Sequence, residues 1–367
     1  MLKNHDDFVK NVPVRDYEKL KHYVDQVVAG APDILWPGKP LYFAKTSGTT
    51  SGAKYIPITA PSIKAQVEAS RNAVLMYINE TGNSDFVDGK WIFLQGSPVL
   101  DEKNGIKLGR LSGISAHYVP SYLLKNRMPS WDTNCIEDWE TKVDAIVEET
   151  LEENMTAIAG IPSWVQMYFE KLIKVTGKKT IMEIFPNLRI FVYGGVNYEP
   201  YRDTIEKLLG KRLPSLETYP ASEGFIAFQD RLENEGLLLN TRSGIFFEFV
   251  PVEEMDNDCP SRIGLKDVEL HKDYAIIINN NAGLWGYIIG DSVQFVSLNP
   301  YRIVVSGRIK HFISAFGEHV IAEEVEAALL EVEAKQAVQI TEFTVAPQVI
   351  PPEGGLPYHE WFIEFVQ

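Results

Sequence analysis

Residues 44–54 read Ala-Lys-Thr-Ser-Gly-Thr-Thr-Ser-Gly-Ala-Lys, the densest run of potential chemistry in the chain. Gly48 and Gly52 free the backbone to turn its N–H groups inward. Ser47, Thr49, Thr50 and Ser51 add hydroxyls, and Lys54 adds a point charge. Such a loop suits a phosphate chain. It is not a Walker loop, because Gly48 and Gly52 stand too close and Ala53 separates Gly52 from Lys54. A plain polar turn is the competing reading.

Three further groups follow in order. At Tyr193-Gly194-Gly195 the glycines let a flat ring slide against the backbone; an ordinary strand-end turn would look the same. In Tyr219–Gly224, Tyr219 can stack on a base and Ser222 can bond a phosphate oxygen. Glu223 can hold a Mg²⁺ ion that bridges phosphates, or can be the one acid of a surface loop. Asp291 can accept from two vicinal ribose hydroxyls, or cap a β-turn. Arg308 can donate to both ribose and α-phosphate.

The elements that must position these groups change character along the chain. Residues 14–30 and 61–80 read as helices, the second with Pro61 early and Gly82 just beyond its end. From 91 to 224, apolar strands (91–94, 156–159, 188–192) alternate with helical stretches (136–153, 162–175, 199–210). That alternation predicts an α/β unit with a largely parallel sheet. Residues 100–135 read as loops. From 225 to 305, short β-rich runs between Asn, Asp and Gly predict an antiparallel sheet or barrel. After Gly307 come a strand at 309–315, an acidic helix at 321–331, a proline-rich loop at 346–357 and a last strand at 359–366. The expected division is therefore 1–306, with 1–224 α/β and 225–306 β-rich, followed by a small α+β domain at 307–367.

Composition narrows the partners. A net charge of −15 would repel nucleic acid and anionic lipid, so a polyphosphate needs local positive charge or a metal ion. The amino terminus is polar, and no apolar run approaches the ~20 residues a membrane helix needs. Cys135 and Cys259 stand far apart, which suits a reducing compartment. These features predict a cytoplasmic chain acting without nucleic acid or membrane; oligomeric state is left open.

Taken in order, the four groups resemble the adenylate-forming superfamily of acyl-CoA synthetases, luciferases and peptide-synthetase adenylation domains. Within it the chain looks most like the Gretchen Hagen family of acyl-acid amido synthetases, the plant auxin-responsive group, and reads as a bacterial member. The resemblance rests on Phe43–Pro57, Ala159–Trp164, Glu217–Gly224, Gly286–Asp291 and Gly307–Glu318. Val12-Pro13-Val14…Tyr17-Glu18 and Tyr358-His359-Glu360-Trp361 also fit, so it spans about residue 8 to 367.

The resemblance implies a site. Ser47, Gly48, Thr49, Thr50 and Ser51 would take the phosphates, and Lys54 their charge. Gly195 and Val196 would border the adenine, with Tyr219 stacked on it; Glu223 would ligate Mg²⁺ and Ser222 would sit near the α-phosphate. Asp291 and Arg308 would hold the ribose, and Lys310 and His311 would fall at an interdomain hinge. His117, Trp164 and Tyr168 are candidates for the acid pocket, each equally suited to core packing. The implied reaction consumes ATP, adenylates a carboxylic acid with loss of pyrophosphate, and passes the acyl group to an amine, expected to be an amino acid.

Three departures bear on this. Pro220 stands where acyl-CoA synthetases commonly carry Gly, and His311 where many relatives have an acidic hinge residue. The stretch after Gly307 is shorter than the family's mobile domain, and its only lysines are Lys310 and Lys335. This predicts a truncated domain without the family's late lysine, and impaired adenylation if the chain is complete. A thioester-forming ligase and an inactive nucleotide-binding relative are the alternatives. A transcriptional regulator is disfavoured by the acidic charge.

Overall fold

The computed structural model describes residues 4–46, 54–232, 236–255, 257, 259–309, 340–349, 351 and 356–365, with scattered positions between 312 and 338. Two helices come first, α1 (His5–Asn11) and α2 (Tyr17–Val28), capped by Asn4 and Asp16 side chains that accept from backbone N–H groups. A hairpin follows, β1 (Tyr42–Thr46) and β2 (Lys54–Ile58), then the long helix α3 (Ala60–Thr81). Thr59 and Ser62 close a reciprocal capping box at its start, and Gly82 ends it.

Next come β3 (Lys90–Phe93), β4 (Asp101–Lys103), β5 (Ile106–Gly109), α4 (Leu111–Ala116), β6 (Arg127–Met128) and α5 (Trp131–Asn134). The loops expected at 100–135 are thus replaced by short elements. Strand β5 alternates Ile106 in, Lys107 out, Leu108 in, a signal too short to stand out among glycines. Strand β4 is fully exposed and charged, and only its pairing with β5 makes it a strand.

The predicted alternation then appears: α6 (Trp139–Thr150), β7 (Met155–Ala159), α7 (Pro162–Thr176), α8 (Ile181–Ile184), β8 (Ile190–Gly194), α9 (Glu199–Leu209) and β9 (Ser215–Ala221). After it run β10 (Gly224–Phe228), β11 (Leu237–Leu239), β12 (Ile245–Pro251), β13 (Asp273–Asn280), β14 (Tyr287–Leu298) and β15 (Tyr301–Arg308). The last described strands are β16 (Phe312–Ile313), β17 (Val320–Ile321), β18 (Ile340–Gln348) and β19 (Tyr358–Phe365). Strand β18 runs into the stretch expected to be a proline-rich loop. Pro347 is tolerated because β18 belongs to a two-stranded sheet with an open edge. Val325, Ala328, Leu329 and Glu331 are helical within the helix expected at 321–331, and Val332 just beyond it, whereas Ile321 belongs to β17.

Eleven strands form one sheet in the order β12-β13-β14-β15-β11-β10-β9-β8-β7-β3-β6. From β9 to β6 every pairing is parallel, and from β9 to β12 every pairing is antiparallel. Helices cover both faces of the parallel part. Val143, Ile146, Val165, Phe169 and Ile205 pack on one side, and Ala69, Ala73 and Tyr77 of α3 on the other. A third cluster joins α2 and the β1–β2 hairpin to the antiparallel strands through Tyr17, Leu20, Phe43, Ile56, Phe247, Tyr274 and Phe295.

Candidate active site

Strand β9 is the seam where parallel pairing becomes antiparallel, and the candidate site is built around its carboxyl end. Strand β8 pairs with β9 so that Gly194 lies opposite Thr218, next to Tyr219. A Cβ on Gly194 would stand 2.2 Å from the Thr218 carbonyl oxygen, and Gly195 takes φ +83. Only glycines allow the two strands to close up and turn here. Ile161, the residue that caps α7 just beyond β7, lies 3.9 Å from where a Gly195 Cβ would be. These ends face the crevice that open α/β sheets use for ligands. Val196 follows half-buried, and Ser222 and Glu223 form the tight turn from β9 to β10.

Tyr219 donates its hydroxyl hydrogen to Asp291 Oδ2. Three strands separate β9 from β14 in the sheet order. In a flat sheet that offset would be about 19 Å, far beyond a tyrosine's reach. The sheet therefore curls, and the curl brings the parallel half's tyrosine onto the antiparallel half's aspartate. Asp291 sits directly opposite Arg308 in the β14–β15 register. Arg308 Nε lies 2.9 Å from Asp291 Oδ1, an ion pair lying outside hydrogen-bonding angles. That oxygen is buried and bonds no donor among the described residues. Asp291 is 5% exposed, and burial raises its carboxyl above the usual range although Arg308 and Tyr219 oppose the shift. Burial, then the Asp291 charge, holds the Tyr219 phenol protonated and so a donor.

Glu223 stands beside this pair. Its Oε1 accepts from the Tyr287 hydroxyl at 3.2 Å, and its carbonyl accepts from Asn280 Nδ2 at 2.8 Å. Burial lifts its carboxyl; Lys54 and Tyr287 oppose this, and Asp291 reinforces it. Lys54, Tyr219, Glu223, Tyr287, Asp291 and Arg308 thus form one electrostatically connected group holding two carboxylates and two cations. An added polyphosphate would leave net negative charge. Among the described residues no three His, Cys, Asp or Glu side chains converge as a metal cage. One inward carboxylate fits Mg²⁺, which commonly binds one or two protein carboxylates together with substrate phosphates.

The other expected residues divide. Ser47, Gly48, Thr49, Thr50, Ser51, Lys310 and His311 lie outside the described residues. Trp164, in the first turn of α7, is half-buried and packed on Trp139 with ring centroids 4.3 Å apart. His117 follows α4, its Nε2 2.9 Å from the Pro98 carbonyl oxygen and its ring edge-on to Trp131. Tyr168 is fully buried, its hydroxyl bonded to Thr150 Oγ1 at 2.7 Å, so it is a core residue tying α7 to α6. Tyr287 lay inside a quoted motif, yet its type gave no sign of a role, since only the fold places it against Glu223.

Known proteins place this architecture. The profile of the GH3 family N-terminal domain matches residues 1–137 and 127–214, and that of the GH3 family central domain matches 238–308. A jasmonoyl–L-amino acid synthetase of Nicotiana attenuata, JAR4, is 23% identical over 356 residues, 78% of this chain and 60% of its own length. An indole-3-acetic acid-amido synthetase of Arabidopsis thaliana, GH3.15, is 35% identical over 82 residues, 22% of this chain and 14% of that protein. The chain therefore spans at most about three fifths of these curated relatives. The solved GH3.15 acyl acid amido synthetase superposes with a TM-score of 0.69 at 16% identity, covering 99% of this chain and 73% of that one. A 2-hydroxyisobutyryl-CoA ligase covers 99% of this chain and 70% of that one, with a TM-score of 0.53 at 14% identity. The shared property at such identities is the fold, that of the adenylate-forming enzymes.

Proposed function

The chain belongs to the GH3 family, and from that premise we propose that it is an ATP-dependent ligase joining a carboxylic acid to an amine, an amino acid by preference. The observation that supports this most is the Tyr219–Asp291–Arg308 cluster set beside Glu223 and Lys54. In this reading Asp291 and Arg308 hold the ribose, Tyr219 and Gly195–Val196 border the adenine, and Ser222 sits near the α-phosphate. Ser47, Gly48, Thr49, Thr50, Ser51 and Lys54 take the phosphates. Glu223 would hold Mg²⁺, which supplies charge neutralisation on the phosphates. Trp164 and His117 line the acid pocket. Residues 1–306 form the adenylating domain, and 307–367 belong to a small domain hinged near Lys310–His311.

An acid oxygen attacks the α-phosphorus, an O–P bond forms, and the bond to the β-phosphate oxygen breaks to release pyrophosphate. The amine nitrogen then attacks the acyl carbon, AMP leaves with its oxygen, and the amine proton passes to solvent. A carboxylate is already a competent nucleophile, so this chain's residues act in the first step by positioning and by offsetting charge. No helix among the described residues is long and apolar enough to cross a membrane, and both cysteines are unpaired. These features support a cytoplasmic setting, where ATP is plentiful.

The test is pyrophosphate release from Mg·ATP across a panel of carboxylic acids, with a Glu223→Ala/Asp291→Ala double variant alongside. Acid-dependent release that the double variant loses is expected. Adding amino acids or coenzyme A then separates amide from thioester formation. Absence of release with every acid, alongside measurable AMP binding, would overturn the catalytic reading.

A further inference from the structure

The motif Val12-Pro13-Val14…Tyr17 has no part in the chemistry above, yet it touches both sides of the site. Arg15 pairs with the start of β14: its N–H donates to the Gly286 carbonyl at 2.8 Å, and its carbonyl accepts from Ile288 N–H at 2.9 Å. Between those two bonds lies Tyr287, the residue that donates to Glu223. Gly286 takes φ +61, and a Cβ there would stand 2.5 Å from the Pro13 carbonyl oxygen, so the segment lies flush on the strand. Two residues on, Tyr17 opens α2 with 4% of its surface exposed. Its hydroxyl accepts from Tyr55 N–H at 2.8 Å. Lys54 Nζ, one residue earlier, lies 5.8 Å from the centre of the Tyr17 ring. The Tyr17 phenol also acts on Tyr287 electrostatically, and burial keeps it protonated.

We propose that Val12–Tyr17 is a positioning strap for the nucleotide site, with Tyr17 holding the start of β2 so that Lys54 faces Glu223 and the phosphates of ATP. The proposal rests on the nucleotide-binding reading given above. Tyr17 is a positioning residue, since it acts through Tyr55 and Lys54.

Tyr17→Phe keeps the ring and its packing and removes only the acceptor. Titration calorimetry of the full chain with Mg·ATP and with AMP tests it. AMP lacks only the β- and γ-phosphates, so it reads the adenine, ribose and α-phosphate contacts without them. The variant is expected to bind Mg·ATP roughly three- to tenfold more weakly, the worth of one such hydrogen bond. AMP affinity should stay at the wild-type value, and the melting temperature should fall by no more than the few degrees that one hydrogen bond is worth. Equal Mg·ATP affinity in variant and wild type would overturn the strap alone. Parallel loss of AMP affinity and of melting temperature would make Tyr17 merely structural and overturn it too. A wild-type chain that binds neither nucleotide would overturn the strap together with the reading beneath it. Tyr17→Leu, which removes the ring, serves as the packing control: it is expected to lower the melting temperature, and a Phe variant that melts like it would count against the proposal.

Discussion

Glu223 and Asp291 are carboxylates held where burial disfavours their charge, and that has a measurable cost. Both pKa values are raised, so the folded chain binds these protons more tightly than the unfolded chain does. Their contribution to stability is most favourable below the unfolded carboxylate values of about 4. It declines as pH rises from those values through the raised folded ones, and the penalty is complete above them. Glu223→Gln removes the proton from the balance while keeping the side chain's shape. It is expected to raise the melting temperature at pH 7 by about 1–2 °C without ligand, the scale of about 1 kcal/mol in a chain this size. The gain should fade below about pH 4, and Mg·ATP should stabilise the variant less than wild type. Calorimetric melting across pH checks all three, and a variant no more stable than wild type at pH 7 would show that the carboxylate carries no such cost. Asp291, Glu223 and Arg308 could be named from the chain because each carries its chemistry in its type. Tyr287 could not, because its part depends on two residues 64 positions apart folding back to make one contact.

At the scale of elements, helix α6 carries a buried cation that the chemistry does not use. Lys142 is 2% exposed, and its amine donates to the Asn134 carbonyl at 2.6 Å and the Gln95 carbonyl at 3.0 Å. Burial pulls its pKa down to about 8, with nearby Arg127 adding to the shift and Cys135 opposing it. The unfolded lysine keeps its proton to about pH 10.4. Between those values the unfolded chain binds more protons, so stability rises with pH. Two N–H groups remain on the neutral amine, enough for both carbonyls. Unfolding free energies from urea titration should therefore climb between pH 8 and 10, by at most about 3 kcal/mol, and the climb should vanish in Lys142→Met. A wild-type profile as flat as the variant's would refute the assignment. The helix itself was legible from Trp139, Val143, Ile146 and Val147 at helical spacing, with Asp138 as its cap. Its neighbours at 100–135 were not, since β4, β5, β6, α4 and α5 span two to six residues each and draw their identity from partners distant in sequence. Tyr168 shows the same limit from the other side. A tyrosine on α7 is equally a pocket wall or a core residue until Thr150 of α6 is found bonded to it.

At the scale of the whole molecule, the switch from α/β to β-rich patterning near residue 225 marks a change of strand pairing within one continuous sheet. Strand β10 hydrogen-bonds β9 on one side and β11 on the other, and β11 carries the pairing on to β15. The core of α2, β1 and β2 is completed by Phe247, Phe249, Tyr274 and Phe295, so residues before 60 and after 245 bury one another. Neither half can release its partner without exposing apolar surface worth roughly 25 cal/mol per Å². Residues 5–308 are therefore expected to unfold as a single unit. Hydrogen exchange read by mass spectrometry should give amides of β8 (Ile190–Gly194) and β13 (Asp273–Asn280) the same opening free energy, and both should lose protection at one urea concentration. A fragment ending at residue 224 should lack a cooperative transition, because it strips β10 from β9 and removes the aromatic half of the α2 core. Separate exchange steps for the two strands would mean that the seam at β9 joins two independently stable bodies. The Tyr219–Asp291 contact would then report docking between them. If the steps coincide, the same curl that seats Tyr219 on Asp291 is built into one cooperative fold, and the candidate site is as stable as the sheet that carries it.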